Sequence, residues 1–303
     1  MEENKAPGNR PDAQNPWDRI TIVLVTRNSG AILPTSLGSL PKAKRIILVD
    51  ALSTDNTTAV AKECHPAVEV IPLAEDHGLG AATNQGLALV ETEYVLNINP
   101  DTRMQEGCVE QLLRTADANP SAAGVAPVLT DGKGTIELYG MGPREIHHHK
   151  FPVLPEGPLC TWFLTGAVVL WRLSAIRAID GFDENIFLYN EDTDISVRST
   201  RAGFSLIIDT GATAEHFGGA SEKATLKSRV RRDWNMVWGQ LFYENKHGQP
   251  GEAETTAREY VSRCRRESLL GLLSLRPKKF LTNRAKARAA ESFLRGDPPW
   301  GRK

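Results

Sequence analysis

Two short segments of the chain place acidic side chains where they could bind a metal ion or move a proton. The first is Asn99-Pro100-Asp101. A hard divalent cation that also binds the phosphates of a ligand needs only one or two protein carboxylates, and Asp101 could supply one. The second segment, residues 190–194, contains Glu191 next to Asp192. In such a pair, one ionised carboxylate can act as a base while its neighbour orients a substrate.

Each segment also has a simpler structural interpretation. Asn-Pro-Asp is a common turn, and carboxylates in the first turn of a helix are favoured by the helix dipole. The run of acceptor-rich side chains at 190–194 nevertheless exceeds what a helix cap requires. His216 is a candidate metal ligand only if it faces Asp101, because a lone histidine is more often a buried packing residue.

The elements that must position these residues alternate between β-branched apolar runs and helical stretches. This alternation predicts βαβ units and an α/β fold with a doubly wound, mostly parallel sheet. Helices are expected between the first five strands, and a further helix at Glu191–Ala202. The predicted strands are Ile20–Val25, Arg45–Val49, Val68–Pro72, Tyr94–Ile98, Gly124–Leu129 and Thr165–Trp171.

The carboxyl ends of the strands are where a sheet of this kind binds its ligands. Three predicted strands end in polar side chains, at Thr26-Arg27-Asn28, at Asp50 and at Asn99-Pro100-Asp101. We therefore predict a small-molecule site at this edge. The segment Thr130–Leu159, with three adjacent histidines at 147–149, has no regular pattern. It predicts a mobile surface flap rather than a metal site.

The charge of the chain is close to balanced but unevenly distributed, with 36 Lys and Arg against 37 Asp and Glu. Residues 223–303 carry a net charge of +11, and residues 1–222 a net charge of −12. Length and composition predict a large α/β domain with an appendage. We expect a disordered lead-in over 1–18, a catalytic domain over 19–222 with halves at about 19–130 and 131–222, and a basic helical extension over 223–303.

The basic extension begins with a helix-compatible stretch at about 223–246, whose apolar stripe we expect to pack onto the catalytic domain. From Arg258 onward, Leu and Phe residues are interspersed with Arg and Lys. That pattern suits the anionic surface of a membrane, or the diphosphate of a lipid-linked ligand. Nucleic acid is not expected as a partner, because no recognition motif or aromatic platform accompanies the charge.

Cysteine usage and hydropathy bear on the compartment. The four cysteines include no CxxC pair, which argues against a zinc module or a secreted disulfide framework and favours a reducing compartment. The longest apolar candidate, Trp162–Trp171, is about half the roughly 18 residues that a spanning helix needs. The polar N-terminus lacks the apolar core of a signal peptide. We therefore predict a cytoplasmic protein, with the extension as the part suited to contact the inner face of the membrane.

Taken together, the motifs resemble the inverting nucleotide-sugar glycosyltransferases of family 2, which have the GT-A fold. The resemblance covers about residues 20–235, and is closest to bacterial rhamnosyl- and galactofuranosyltransferase-type enzymes of cell-surface polysaccharide synthesis. Each motif is modest, but their order and spacing together are specific. In chain order they are IVLVTRNSG, ILVDALSTDNT, HGLGAATNQGL, YVLNINPDT, FLTGAVVLWR, GFDENIFLYNEDTDISVRSTRAGF and HFGGAS.

The resemblance implies that the first half of the catalytic domain binds a UDP- or dTDP-sugar. Thr26, Asn28 and Asp50 match positions that hold the base and ribose of the donor, and Asn84 matches a further nucleotide contact. The full donor-binding set predicted in this way is Thr26, Arg27, Asn28, Asp50, Ser53, Asn84, Asn99 and Asp101.

The resemblance also implies which residues carry out transfer to a hydroxyl of a glycan or a polyprenyl-diphosphate-linked intermediate of surface polysaccharide. Asp101 matches the metal-binding Asp of the family's DxD motif, and His216 a histidine that completes the Mg²⁺ or Mn²⁺ site in some members. Asp192 matches the catalytic base, with Glu191 beside it. The predicted acceptor-binding residues are Trp162, Thr165, Gly166 and Glu191.

Two positions depart from the family pattern. The family commonly has Tyr where Arg27 stands, and Asn where Ala51 follows Asp50. The resemblance therefore does not fix the base or the sugar of the donor. The QxxRW signature of processive synthases is absent, which predicts a non-processive enzyme.

Other functions share parts of this pattern. Gly78-Leu79-Gly80 could open the nucleotide-binding helix of a dehydrogenase, but Thr83 stands at the third glycine position of that fingerprint. A sugar-1-phosphate nucleotidyltransferase has the same doubly wound plan, and Thr26-Arg27 with Pro41-Lys42 faintly resembles its loop without the glycines. A non-catalytic relative would bind a nucleotide-sugar without turnover.

Overall fold

The alternation of strands and helices predicted for the first part of the chain is confirmed. The computed structural model describes residues 15–131, 135–139, 148–149, 156–218 and 225–299. A short 3-10 turn at Pro16–Arg19 is followed by β1 (Ile20–Thr26), α1 (Leu33–Gly38), β2 (Ile46–Asp50), α2 (Thr57–Cys64), β3 (Glu69–Pro72), α3 (Leu79–Leu87), β4 (Tyr94–Ile98), β5 (Thr102–Met104), α4 (Cys108–Ala118) and β6 (Ala122–Thr130). The later elements are β7 (Ile136–Tyr139), β8 (His148–His149), β9 (Leu159–Thr161), β10 (Val168–Arg172), α5 (Leu173–Ala178), α6 (Glu191–Arg201), β11 (Ser205–His216), α7 (Leu226–His247), α8 (Glu252–Leu273) and α9 (Pro277–Leu294).

The central strands are apolar throughout because both of their faces are buried. In β1, Ile22 and Leu24 belong to a cluster on one face of the sheet, and Val23 belongs to the cluster on the other. Strand β2 divides its residues in the same alternating way, with Ile46 and Leu48 on the first face. A strand covered by helices on both sides reads as a continuous apolar run, which is why the sequence pattern located these strands.

The sheet follows the order β3-β2-β1-β4-β10-β6-β11-β5. Strands β1, β2, β3 and β4 pair in parallel, and β6 pairs in parallel with β11. Strand β10 runs antiparallel between β4 and β6, and β5 runs antiparallel to β11. The α/β architecture with parallel strands in the first half agrees with the prediction, and the antiparallel insertion of β10 joins the two halves into one sheet.

Two sequence predictions in the second half need comment. The strand predicted at Thr165–Trp171 begins only at Val168, since residues 165–167 form a turn before it. Most of the predicted flap between Thr130 and Leu159, including His147, lies outside the described residues. Helix α6 does end as predicted, with Gly203 at φ +88° just beyond it, a conformation that glycine adopts without steric cost.

The three C-terminal helices pack mainly against one another. The apolar stripe of α7, represented by Trp234, Trp238 and Leu241, forms a cluster with alanines of α8 and α9, among them Ala257 and Ala289. The expectation that this stripe packs onto the catalytic domain is therefore wrong. The alanines of α8 and α9 are small, and the large side chains of the stripe pack against them.

Helix α7 is joined to the sheet domain by polar groups and by close backbone contact. A Cβ on Gly239 would lie 2.7 Å from the backbone oxygen of Tyr189, so the two segments touch. Lys246 and His247, at the end of the helix, bind the buried carboxylate of Asp194 in α6 at 2.6 and 2.7 Å. Among the described residues, no helix combines the length and the apolar character that crossing a bilayer requires.

Candidate active site

The ends of β1 and β2 present two buried polar atoms that lack a partner. Thr26 and Asp50 are register neighbours, and both side chains are largely buried. Neither Thr26 Oγ1 nor Asp50 Oδ1 has a hydrogen-bond partner among the described residues. Buried polar atoms are normally paired, and these two lie at the edge where a sheet of this type binds its ligands. They are therefore suited to bond to a bound molecule.

The loops that follow these strands are tied to each other. The backbone N–H of Asn28 donates to Ser53 Oγ at 2.9 Å, and Asn28 Oδ1 accepts from the backbone N–H of Thr54 at 2.8 Å. The backbone N–H of Gly30 donates to Asp55 Oδ2 at 3.1 Å. The predicted donor residues Asn28 and Ser53 thus lie together, where their mutual bonds fix the shape of the loop pair.

Arg27 lies at the same edge but is engaged by an acidic partner. Its guanidinium binds Asp76, which also accepts from Arg231 of α7 at 3.0 Å. The Arg231 guanidinium lies over the ring of Phe187, 5.3 Å from its centre. Helix α7 therefore contributes a charged group next to the loops that follow β1 and β3.

Asp101 and His216 meet at the edge of the sheet, as the metal prediction required. His216 ends β11, where it is paired with Thr102, and its Nε2 lies 3.5 Å from Asp101 Oδ1. The Asp101 backbone oxygen accepts from the N–H of Phe217 at 2.9 Å, which fixes the two segments together. Asp101 is 5% exposed.

This pair fits a divalent cation that shares its coordination with a ligand. The described residues contain no group of three or more His, Cys, Asp and Glu side chains able to hold a metal ion. Mg²⁺ and similar hard cations take one or two carboxylates and complete their coordination with substrate phosphates and water. Asp101 and His216 match that requirement.

A cleft next to this edge contains the acidic pair of α6. It is lined by side chains from β1, α3, β4 and the turn before β10, together with Glu191 and Asp192. Asp192 accepts from the backbone N–H of Gly166 at 3.3 Å and from that of Thr193 at 2.9 Å. The complete lining is Val25, Leu79, Thr83, Asn97, Ile98, Asn99, Gly166, Phe182, Glu191 and Asp192.

The backbone immediately before the acidic pair is strained. Tyr189 and Asn190 both have positive φ angles, of +70° and +71°. Left-handed backbone is uncommon for residues other than glycine, and two consecutive cases persist only where surrounding structure imposes them. The contact between Gly239 of α7 and the Tyr189 oxygen supplies part of that constraint. This left-handed pair leads directly into the first turn of α6, which places Glu191 and Asp192 in the cleft.

The two carboxyl groups of the pair have different surroundings. Burial, and next the charge of Asp192, raise the pKa of Glu191, whose Oε2 has no partner among the described residues. Burial also raises the pKa of Asp192, but the N–H groups of Gly166 and Thr193 oppose that effect by stabilising its ionised form. These two hydrogen bonds favour the ionised form of Asp192 relative to that of Glu191.

Comparison with known families agrees with this geometry. The family model for glycosyl transferase family 2 matches residues 21–162, and that for glycosyl transferase family group 2 matches residues 94–272. The second match covers more than half of the chain.

The chain belongs to the family 2 glycosyltransferases.

Individual relatives of this glycosyltransferase come from mycobacteria. An N-acetylglucosaminyl-diphospho-decaprenol L-rhamnosyltransferase of Mycobacterium tuberculosis is 27% identical over 233 residues, covering 66% of this chain and 76% of that protein. A pre-mycofactocin glycosyltransferase of the same species is 29% identical over 215 residues, covering 68% of this chain and 44% of the relative.

Solved structures share the fold of the glycosyltransferase. A mannosyltransferase from Pyrobaculum calidifontis, in complex with GDP-Man and Mn²⁺, aligns with a TM-score of 0.57 at 15% identity, over 94% of this chain and 88% of that one. GalNAc-T7 with UDP, GalNAc and Mn²⁺ aligns with a TM-score of 0.55 at 15% identity, over 76% of this chain and 51% of the other. The predicted GT-A fold is confirmed.

The fold brings most of the predicted site residues of the glycosyltransferase to one region. The side-chain amide of Asn84 bonds to the backbone of Phe182. Its Nδ2 donates to the Phe182 oxygen and its Oδ1 accepts from the Phe182 N–H, both at 2.9 Å. Its role as a nucleotide contact remains a prediction. Trp162 is 62% exposed, and Thr165 lies in the turn that carries Gly166 to Asp192.

The glycines that suggested a dehydrogenase are used for packing within the glycosyltransferase. A Cβ on Gly78 would collide with the backbone of Phe187, and one on Gly80 would lie 3.1 Å from Phe182 Cβ. These contacts hold the start of α3 against the segment that leads to the acidic pair.

Two polar residues of the cleft, Thr83 and Asn97, were not among the residues predicted from the sequence. Asn97 lies within the apolar strand β4, and its Nδ2 donates to the backbone oxygen of Gly166 at 3.4 Å. The sequence did contain a signal for Asn97, an amide side chain in the middle of a strand that is buried on both faces. Such a group needs a hydrogen-bond partner inside the protein.

Proposed function

We propose that this glycosyltransferase is non-processive and inverting, and that it transfers a sugar from a UDP- or dTDP-sugar to a hydroxyl group. The observation that carries the proposal is the acidic pair in the cleft. Burial raises the pKa of both groups, but hydrogen bonds from backbone N–H groups of Gly166 and Thr193 oppose the rise at Asp192, which makes Asp192 the better placed of the two to be ionised. An ionised carboxylate in a cleft is what direct attack by a hydroxyl group requires.

The donor would bind at the ends of β1 and β2. The unpartnered atoms Thr26 Oγ1 and Asp50 Oδ1 can bond to the base and ribose of a nucleotide. Asn28 and Ser53 lie in the loops that follow β1 and β2, and the hydrogen bond between them fixes the shape of those loops. Solved structures of the same fold that hold UDP or GDP-Man support a nucleotide-sugar as the donor.

Asp101 and His216 would hold Mg²⁺ or Mn²⁺ together with the donor diphosphate. When bound, the ion supplies positive charge that offsets the negative charge developing on the departing nucleoside diphosphate. Asp101 contributes a buried carboxylate, and the hydrogen bond from Phe217 to its backbone keeps that residue in place. Mn²⁺ in two solved structures of the same fold supports the use of a divalent cation.

Asp192 would act as the general base. Its carboxylate takes the proton from the acceptor hydroxyl while that oxygen attacks the anomeric carbon on the face opposite the leaving group. The bond to the diphosphate breaks as the new bond forms, so the product has the inverted configuration. Glu191, protonated, leaves the negative charge on Asp192 and can donate a hydrogen bond within the cleft.

The acceptor would be a glycan or a polyprenyl-diphosphate-linked intermediate of surface polysaccharide. The name of the mycobacterial rhamnosyltransferase specifies an acceptor of the second kind. Exposed Trp162 offers a flat apolar surface for a sugar ring, with Thr165 and Gly166 between it and Asp192. We further propose that residues 19–222 form the catalytic domain, and residues 223–303 an extension that serves it.

A donor screen tests the proposal. The protein is incubated with UDP-, dTDP- and GDP-sugars in the presence of Mn²⁺, and donor binding is read as a shift in thermal unfolding. Active donors are then supplied with a synthetic polyprenyl-diphosphate sugar, and the anomeric configuration of the product is read by NMR. We expect release of a nucleoside diphosphate and an inverted product. A retained configuration would refute direct displacement.

Two further outcomes would replace the proposal. Release of pyrophosphate from a nucleoside triphosphate would identify a nucleotidyltransferase, whereas donor binding without turnover under all conditions would identify a non-catalytic binding protein. The metal assignment has its own variant. Asp101→Ala should remove the response of transfer and of donor binding to Mn²⁺, and a variant that keeps both responses would refute that role for Asp101.

A further inference from the structure

The C-terminal end of α8 and the turn that follows it expose five leucines. Single exposed leucines are ordinary, but a group within seven residues is an apolar surface that normally meets a partner. The exposed fractions of these side chains range from 47% to 89%. We call this group the leucine tip, and its members are Leu269, Leu270, Leu272, Leu273 and Leu275.

The inward face of α8 near the tip is made of small residues. Cys264, Ser268 and Gly271 are buried, and a Cβ on Gly271 would lie 2.7 Å from the backbone nitrogen of Phe280 in α9. Ser268 Oγ donates to the backbone oxygen of Phe280 at 3.0 Å. The small residues let the two helices approach closely, and the leucines therefore point away from the helix pair. This arrangement reverses the usual placement of large apolar side chains.

The tip has a fixed shape. The backbone N–H of Arg276 donates to the oxygen of Gly271 at 2.8 Å, and Ser274 Oγ donates to the oxygen of Leu270 at 2.6 Å. These bonds close the turn at the end of α8. A surface that is already ordered loses little conformational entropy when it binds.

Basic residues flank the tip along the chain. Residues 263–288 contain nine Lys and Arg against a single acidic residue, Glu267, which is paired with Lys279. Arg266, Arg276 and Lys278 are exposed and form no ion pair with a carboxylate of the described residues. Excess positive charge next to apolar side chains is the pattern that binds anionic lipid surfaces. A second copy of this chain would bring the same positive charge against the tip, which disfavours self-association there.

We propose that the leucine tip inserts into the interface of an anionic lipid membrane while the surrounding basic residues bind lipid headgroups. Insertion would remove the leucines from water without a spanning helix. This surface lies in the extension, outside the cleft that carries transfer. The proposal therefore holds whichever sugar or acceptor the enzyme uses.

Vesicle flotation of the full-length protein tests this surface. The vesicles contain phosphatidylcholine, either alone or mixed with phosphatidylglycerol. We expect binding only to the mixed vesicles, and weaker binding as salt is raised, because salt screens the attraction to headgroups. Leu272→Ser with Leu273→Ser should lower the partition coefficient by about tenfold or more, since each buried CH₂ contributes to membrane affinity. Arg276→Gln with Lys278→Gln should lower it by about 30-fold at low salt.

Matched controls separate this surface from general effects of substitution. Leu89→Ser with Leu226→Ser changes two leucines that are 40% and 39% exposed elsewhere, and Lys44→Gln with Lys227→Gln removes two exposed cations. Both controls should bind like the wild type, and all variants should keep the unfolding temperature. Equal binding to both kinds of vesicle, binding to neither, or controls as weak as the tip variants would overturn the proposal. A dimer of the wild type that the leucine variant does not form, measured by sedimentation velocity, would also overturn the proposal. The leucine tip would then bind a second copy of this chain.

Discussion

The first turn of α6 carries two aspartates, two residues apart, with opposite surroundings. Asp192 faces the cleft and bonds to backbone N–H groups of Gly166 and Thr193. Asp194 is fully buried on the other side, where Arg198, Lys246 and His247 all bind its carboxylate. One aspartate therefore lies among neutral groups beside an acidic neighbour, and the other among basic side chains.

The acidities of the two groups differ for that reason. Burial raises the pKa of Asp192, and the hydrogen bonds that it accepts from Gly166 and Thr193 only partly oppose that rise. Burial also acts to raise the pKa of Asp194, but hydrogen bonds from His247 and Lys246, together with Arg198, outweigh that effect and lower it to about 2. The comparison teaches that one helical turn holds a group suited to proton transfer and a group that attaches the extension. Four predictions test this division.

The largest effect is expected from Asp192→Asn. An amide of the same shape cannot take a proton, so the transfer rate should fall about 10²- to 10⁴-fold, the usual contribution of general-base catalysis. Single-turnover kinetics with a saturating donor measures the loss. Donor affinity and the unfolding temperature should stay at wild-type values. A parallel loss of donor binding would mean that Asp192 holds the donor and is not the base.

Asp194→Asn should act on stability. The substitution removes the buried carboxylate that Arg198, Lys246 and His247 share, and breaking a buried pair costs about 3–5 kcal/mol of unfolding free energy. Urea unfolding at neutral pH measures the difference. Because the pKa of Asp194 is lowered to about 2, its contribution is complete above the ordinary value of about 3.9 and is lost as the pH falls through about 2. The difference in free energy of unfolding between wild type and variant should become smaller as the pH falls over that interval. A difference that does not change with pH would show that the ionised carboxylate of Asp194 is not its source.

Glu191→Gln should have a smaller effect on the rate. Burial and the charge of Asp192 raise the pKa of Glu191, so glutamine replaces a group that is already protonated when Asp192 is ionised. We expect transfer at neutral pH within about tenfold of the wild type, and the acid side of the pH–rate profile unchanged. We expect the transfer rate of the wild type to fall at alkaline pH as Glu191 ionises. The variant should not show that fall, because glutamine does not ionise. A loss as large as that of Asp192→Asn would reverse the two assignments.

The smallest effect is expected where an ion pair is exposed. Arg265 of α8 binds Glu291 of α9 at 2.8 Å, with the arginine side chain 68% exposed. Arg265→Gln should change the free energy of unfolding by about 0–1 kcal/mol, because water and salt screen such pairs. The same urea titration serves as the control for Asp194→Asn. An equal loss of unfolding free energy in the two variants would show that burial does not strengthen the ion pairs of Asp194.

Much of the fold could be predicted from local patterns. The strands of the first half and helix α6 follow from apolar runs, helix caps and a glycine at φ +88° after Ala202, which are properties of neighbouring residues. The placement of β10 between β4 and β6 could not be predicted in that way. It depends on a pairing between residues about 70 positions apart, such as Val168 with Ile98, for which the local sequence carries no signal.

The sequence alone identified the acidic pair, the Asp101 position and the basic extension, because residue type and order in the chain are enough to recognise them. Only the tertiary structure showed which charges and hydrogen-bond donors surround each group. Asp194 was counted with its neighbours as one acidic run, and its partners Lys246 and His247 lie more than 50 residues further along the chain. The acidity of a carboxyl group is set by the charges and donors that surround it in space. For that reason two aspartates of one helical turn can be told apart only in the folded chain.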